Sequence, residues 1–162
     1  MIQWERRPVE IANLLNPAFC GQVLRVCIRA YAEEASAPLP YPLVFLLLPV
    51  VLHTQTRDRL TPRQRQLHTW LQENEDLKIG FAERTRQIIP ITLESITFLL
   101  QLRTIAVDEQ AGLQVLPYRR RTIPEQEQGE IADCYRKAGV IGRLFARAGT
   151  APTIYALWGV TL

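Results

Sequence analysis

The stretch from Pro90 to Leu116, PITLESITFLLQLRTIAVDEQAGLQVL, decides the fold. In its first half, Leu93, Ile96, Leu99 and Leu100 recur at helical spacing to about Leu102. The period then drops to two. Ile105 and Val107 alternate with their neighbours, Asp108 to Gly112 supplies a turn, and Leu113 and Val115 alternate again. A helix followed by a hairpin is the ending of a winged helix. Helices at 61–74 and 75–88, the second running until Pro90 starts the next, complete a helix-turn-helix core. A winged-helix-like unit is therefore expected over about residues 61–118.

Working outward, Thr61-Pro62-Arg63-Gln64 reads as a capping box with Pro at the first helical position, and Leu67, Trp70 and Leu71 give that helix its buried edge. Upstream, Pro42 to His53 is apolar almost all round, so this helix must be central, with a kink expected at Pro49. Before it, Asn16-Pro17 caps and starts a helix whose stripe is Phe19, Val23, Val26, Cys27 and Ala30. Pro38-Leu39-Pro40-Tyr41-Pro42 then forces an extended stretch. Downstream, Pro124 begins a long helix with Glu125, Glu127 and Glu130 early and Arg136, Lys137, Arg143 and Arg147 late, the polarity the helix dipole favours; Gly149 is its stop. Gly139 and Gly142 would let another element approach it closely. The terminal run Thr153 to Val160, apolar on both faces, reads as a covered strand or a docking edge. The expectation is a mainly α chain with a small antiparallel β element (α+β), forming one domain over residues 1–162.

Composition agrees with one globular core: 162 residues, 48% apolar and 22% charged, with no repeat or low-complexity tract. A chain of this size buries about 70% of its unfolded surface, so stability calls for no metal, cofactor or disulfide. The net charge of +3 is too slight for a dedicated polyanion binder. Arg outnumbers Lys 17 to 2, which serves carboxylate and phosphate recognition but also follows from a GC-rich genome. Three cysteines, Cys20, Cys27 and Cys134, form no CxxC pair and read as buried, reduced thiols in a cytoplasmic protein. Leu43 to Leu52, interrupted by Pro49, falls short of the ~20 residues that cross a bilayer. Arg6-Arg7 lacks the apolar core and cleavage site of an export signal.

No catalytic constellation assembles from the residue list. There are two serines, Ser36 and Ser95, and two histidines, His53 and His68, none arranged as nucleophile and base. His53 and Asp58 have no further ligand at metal spacing, and the glycines at 139, 142 and 149 do not form a phosphate loop. Two Arg clusters remain. Arg57, Arg59, Arg63 and Arg65 surround a helix start, and Arg119, Arg120 and Arg121 follow the second hairpin strand. Either could dock acidic residues of a protein, lie solvated, or touch a nucleic acid backbone weakly and without sequence preference. The helix before the hairpin would present Thr92, Glu94, Ser95, Thr97 and Gln101, a poor base-reading face. Tyr155 and Trp158 are candidate contacts if the terminal strand is an edge, in which case the isolated chain self-associates until a partner covers it.

From Leu14-Leu15-Asn16-Pro17-Ala18-Phe19-Cys20 onward the sequence resembles the middle component of bacterial ABC three-component systems, the group that includes Lamassu-type defence. Phe45 to His53 with Thr56-Arg57, Trp70, Ile89-Pro90-Ile91-Thr92, Gly142 to Ala146, and Thr153 to Val160 agree in order. The end at Leu162 leaves contacts through any longer family tail in doubt. The resemblance implies a non-catalytic adaptor joining an SMC-like ABC ATPase to an effector, often a nuclease, in defence against phage or plasmids. The alternative from the residues is a winged-helix transcription regulator binding DNA directly.

Overall fold

The computed structural model describes residues 15–117 and 129–161. Helix α1 (Pro17–Ala35) starts where Asn16 Oδ1 accepts the Ala18 amide at 2.8 Å and Pro17 fills the first turn. A short strand β1 (Leu39–Pro40) and a 3₁₀ turn at Tyr41–Leu43 lead into α2 (Val44–Val51). Then follow α3 (Thr54–Arg59), α4 (Leu67–Glu73), a 3₁₀ turn at Glu75–Lys78 and the long α5 (Phe81–Gln101). The hairpin strands β2 (Ile105–Val107) and β3 (Gly112–Val115) come next, and α6 (Gly129–Arg147) and α7 (Ala151–Trp158) complete the described chain. The fold is mostly helical with one small antiparallel sheet.

Helix α2 is the centre of the core. Seven of its eight residues are buried, and it packs against α5, α6 and α1. An all-apolar helix has no face it can leave in water, which forces that position. The helix runs through Pro49 and stops at Val51. Around it, α1 packs most extensively on α6, where Cys27, Ala30, Ala138 and Gly142 leave little side chain between the backbones.

The hairpin lies where the change of period places it. Ile105 pairs with Val115 and Val107 with Leu113. Asp108 Oδ1 accepts the amides of Gln110 and Gly112 to hold the turn. The Pro-rich stretch supplies a third strand, with Leu39 opposite Leu113, so the sheet order is β1-β3-β2. Pro40 sits on an edge, where a missing N–H is tolerated.

Three expectations are corrected. The 75–88 segment is not one helix: Glu75–Lys78 is a 3₁₀ turn, and α5 already begins at Phe81 and continues through Pro90 to Gln101. Proline removes one backbone hydrogen bond, but Pro90 is exposed while Thr85 and Ile91 on either side are buried, so packing carries the helix across it. The helix-turn-helix drawn from 61–74 and 75–88 is therefore not formed by those segments. The buried stripe of α5 is also rotated. Thr92 and Ser95 are fully buried and donate to the Ile88 and Ile91 carbonyls, whereas Leu93 and Leu100 are partly exposed.

The third correction is the C-terminal strand, which is helix α7. Thr150 caps it through the Thr153 amide, Pro152 lies in its first turn, and Gly159 ends it at φ 68°. Ile154, Tyr155 and Trp158, spaced i, i+1 and i+4, make its buried face, and the alternation that suggested a strand is incidental. Expected helix residues 124–128 lie outside the described chain. Among the described residues no helix is long and apolar enough to cross a membrane.

Candidate partner-docking surface

The first Arg cluster divides into an inner and an outer half. Arg57 is buried. Its Nη1 donates to the Val51 carbonyl at 3.1 Å, Nη2 to Glu130 Oε1 at 2.5 Å, and Nε lies 3.2 Å from Asp133 Oδ2. Lys137 reinforces this junction by donating to the carbonyls of Arg57 and Leu60. Arg57 therefore ties α3 to the first turns of α6. Arg59 is bound to Asp76 at 2.7 Å, which fastens α3 to the 3₁₀ turn. Arg63 and Arg65 are exposed. Arg119, Arg120 and Arg121 lie outside the described residues.

Tyr155 and Trp158 are inside the protein. The Tyr155 hydroxyl donates to the Pro42 carbonyl at 2.7 Å, and Trp158, 1% exposed, stacks on Phe81 and meets the edge of Trp70. Their surfaces are used by the fold.

Among the described residues, grooves open on two sides of α1. One, about 370 Å³, lies between the start of α1, the end of α5 and the start of α6; Phe19, Phe98, Leu102 and Ile131 line it. Arg25 beside it is turned to the Thr104 and Leu116 carbonyls. The other, about 330 Å³, runs between α1 and α6 over Val26, Ala30, Tyr135 and Val140, with Arg29, Arg136 and Arg143 around it and Pro62 at one side. Near this second groove Glu34 accepts from Arg147 Nε at 2.8 Å. That hydrogen bond, aided by the charges of Arg147, Arg143 and Arg65, holds the Glu34 carboxyl below its ordinary range despite some desolvation.

Reactive side chains are engaged in local structure. Ser95 bonds its own helix, and His53 Nδ1 and Thr56 Oγ1 are 2.8 Å apart. Burial, with the Arg84 charge second, lowers the His53 pKa. All three cysteines are buried, and burial pushes Cys20 up to about 12 and raises Cys27 and Cys134. Among the described residues no three His, Cys, Asp or Glu side chains gather as a metal site.

The sequence model of the ABC-three component (ABC-3C) system Middle Component 3 family matches residues 4–162. The chain belongs to that family. As a Middle Component 3 protein it is the middle component of an ABC three-component, defence-type system, and membership in a multi-component system implies protein partners. Comparison of this middle component with curated proteins and with solved structures returned no match.

Proposed function

We propose that this middle component is a non-catalytic, cytoplasmic adaptor linking an SMC-like ABC ATPase to an effector, often a nuclease, in a Lamassu-type complex acting against phage or plasmids. The observation that carries the reading is the family match over almost the whole chain. The burial of its nucleophiles and the engagement of Arg57 and Arg59 inside the fold support it. Of the sequence candidates among the described residues, Arg63 and Arg65 are exposed, and the proposal assigns partner contact to them. The test is co-expression with the ATPase and effector encoded beside it, each separately tagged. A complex containing all three, with ATPase activity lost only when the ATPase itself is mutated, is the expected result. A wild-type chain that co-purifies with neither overturns the adaptor reading.

The second reading, a DNA-binding regulator, draws on topology. The order α1, β1, α2, α5, β2, β3, with sheet order β1-β3-β2, supports a winged-helix-like reading drawn over residues 17–115, with 54–80 between its second and third helices. Against direct operator recognition, α5 carries no Lys or Arg between Arg86 and Arg103, and its outward side shows Leu93, Thr97 and Leu100. Phosphate neutralisation needs cations there. The unit therefore suits protein contact, with weak, salt-sensitive DNA binding at most. A tight complex with one DNA sequence at physiological salt would reverse this preference.

A further inference from the structure

We propose that the groove between α1 and α6 seats an acidic, amphipathic segment of a partner protein. This inference rests on the adaptor reading and names the chemistry of what the adaptor holds. The groove has an apolar floor made by Val26, Tyr135 and Val140, and a rim carrying Arg29, Arg136 and Arg143. Lys137 also lines it but is turned to the Arg57 and Leu60 carbonyls. The single carboxylate among the lining residues, Glu33, is 3.9 Å from Arg29, and Asp133 lies 3.4 Å from Arg136. Each pair lies within one helix, and Arg29, Glu33 and Arg136 are exposed to solvent, where such pairs are weak and exchange with competing carboxylates. The rim thus carries three guanidinium groups, with Glu33 the one carboxylate among the lining residues, around an uncharged floor.

Gly139 is the second observation. It lies in the middle of α6, where glycine destabilises a helix relative to alanine. Unlike Gly142, which the α1 backbone crowds, a side chain at 139 would meet nothing but the Arg143 guanidinium, at 3.5 Å. Gly139 is buried, and among the described residues the Arg143 guanidinium is what a Cβ there would meet. Its missing side chain leaves the groove floor open at the Arg rim, room that an incoming apolar residue can use. A peptide that inserts an apolar side chain and sets carboxylates against the rim matches both parts.

The test uses the full chain reconstituted with the ATPase and effector encoded beside it. Gly139→Leu fills the groove without changing charge, Arg136→Glu combined with Arg143→Glu reverses the rim, and Gly139→Ala is the folding control. The expected result is at least a tenfold loss of recovered complex for the first two, with melting temperatures near wild type, and wild-type recovery for Gly139→Ala. A photo-crosslinking residue at Arg136 should join an acidic stretch of one partner, identified by mass spectrometry. Wild-type assembly that Gly139→Leu and the rim reversal leave intact overturns the groove proposal while the adaptor reading stands. A crosslink that nuclease digestion removes overturns it in favour of nucleic acid. Failure of the wild-type chain to assemble removes the adaptor reading, and this inference with it.

Discussion

A Cβ on Gly142 would lie 2.5 Å from the Cys27 carbonyl oxygen, so the absence of a side chain at 142 is what lets α6 rest on α1. Atoms do not approach that closely, and the obstacle is backbone, which cannot swing away. Gly142→Ala should therefore push the two helices apart and cost about 1–3 kcal/mol. Gly139→Ala, three residues earlier, brings a Cβ only into ordinary contact with the Arg143 guanidinium at 3.5 Å and should be neutral or stabilising by about 0.5–1 kcal/mol. Urea denaturation of the two variants checks the contrast, and equal midpoints would contradict the packing described.

Trp158 is the largest contribution of α7 to the core. Its ring stacks on Phe81 at a centroid distance of 4.0 Å and meets Trp70 at 6.0 Å. Trp158→Ala should cost about 3–5 kcal/mol, much of the 5–15 kcal/mol that typically holds a domain. The buried indole Nε1 makes no hydrogen bond, so Trp158→Phe strands no partner and should cost clearly less. Thermal melts of both variants decide this; an alanine variant that melts like the parent removes α7 from the core.

Arg57→Met should destabilise by about 1–3 kcal/mol, because it leaves the Val51 carbonyl without its donor and separates α3 from Glu130 and Asp133. Glu130→Gln should do much less, since the Glu130 side chain is 71% exposed and water replaces the lost contact. Equilibrium unfolding of the two single variants and the double variant gives the coupling.

The thiols should be inert in the native state. Burial pushes the Cys20 pKa to about 12 and raises those of Cys27 and Cys134, so almost no thiolate exists near pH 8. Alkylation at that pH should modify none of the three until denaturant is added. Rapid labelling of a folded sample would show that the α1–α6 contact opens.

Acidification should weaken the link between α1 and α6. The Arg147 hydrogen bond depresses the Glu34 pKa in the folded state, so its stabilisation is complete above the unfolded carboxylate pKa and is lost as pH falls through the folded one. Glu34→Gln should flatten the fall in stability on the acid side and lower the neutral-pH midpoint slightly, toward the value the wild type reaches in acid. Denaturation midpoints taken from pH 7 down to pH 3 measure both.

Much of the architecture could be read from local signals. Asn16-Pro17 capped and opened α1, the apolar run in α2 could only be central, and the change of period after Leu102 marked the hairpin. These readings hold because capping groups, φ restriction and hydrophobic period act over a few residues, within the reach of sequence inspection. The same signals were present at α7 in Thr150, Pro152 and Gly159, but alternating apolar residues masked them.

The fate of the arginines was not legible in that way. Arg57 and Arg63 look alike in the sequence, yet Arg57 is buried because Glu130 and Asp133 arrive from 73 and 76 positions away, while Arg63 is exposed. Gly139 and Gly142 likewise differ only because the Cys27 backbone lies against one of them and the groove beside the other. The sequence by itself determined the start of α1, the hairpin and the apolar centre, since each depends on neighbours a few residues apart. Only the tertiary structure decided which charges are consumed by the fold and which glycine leaves a floor open, because ion pairing and steric contact depend on groups that folding alone brings together.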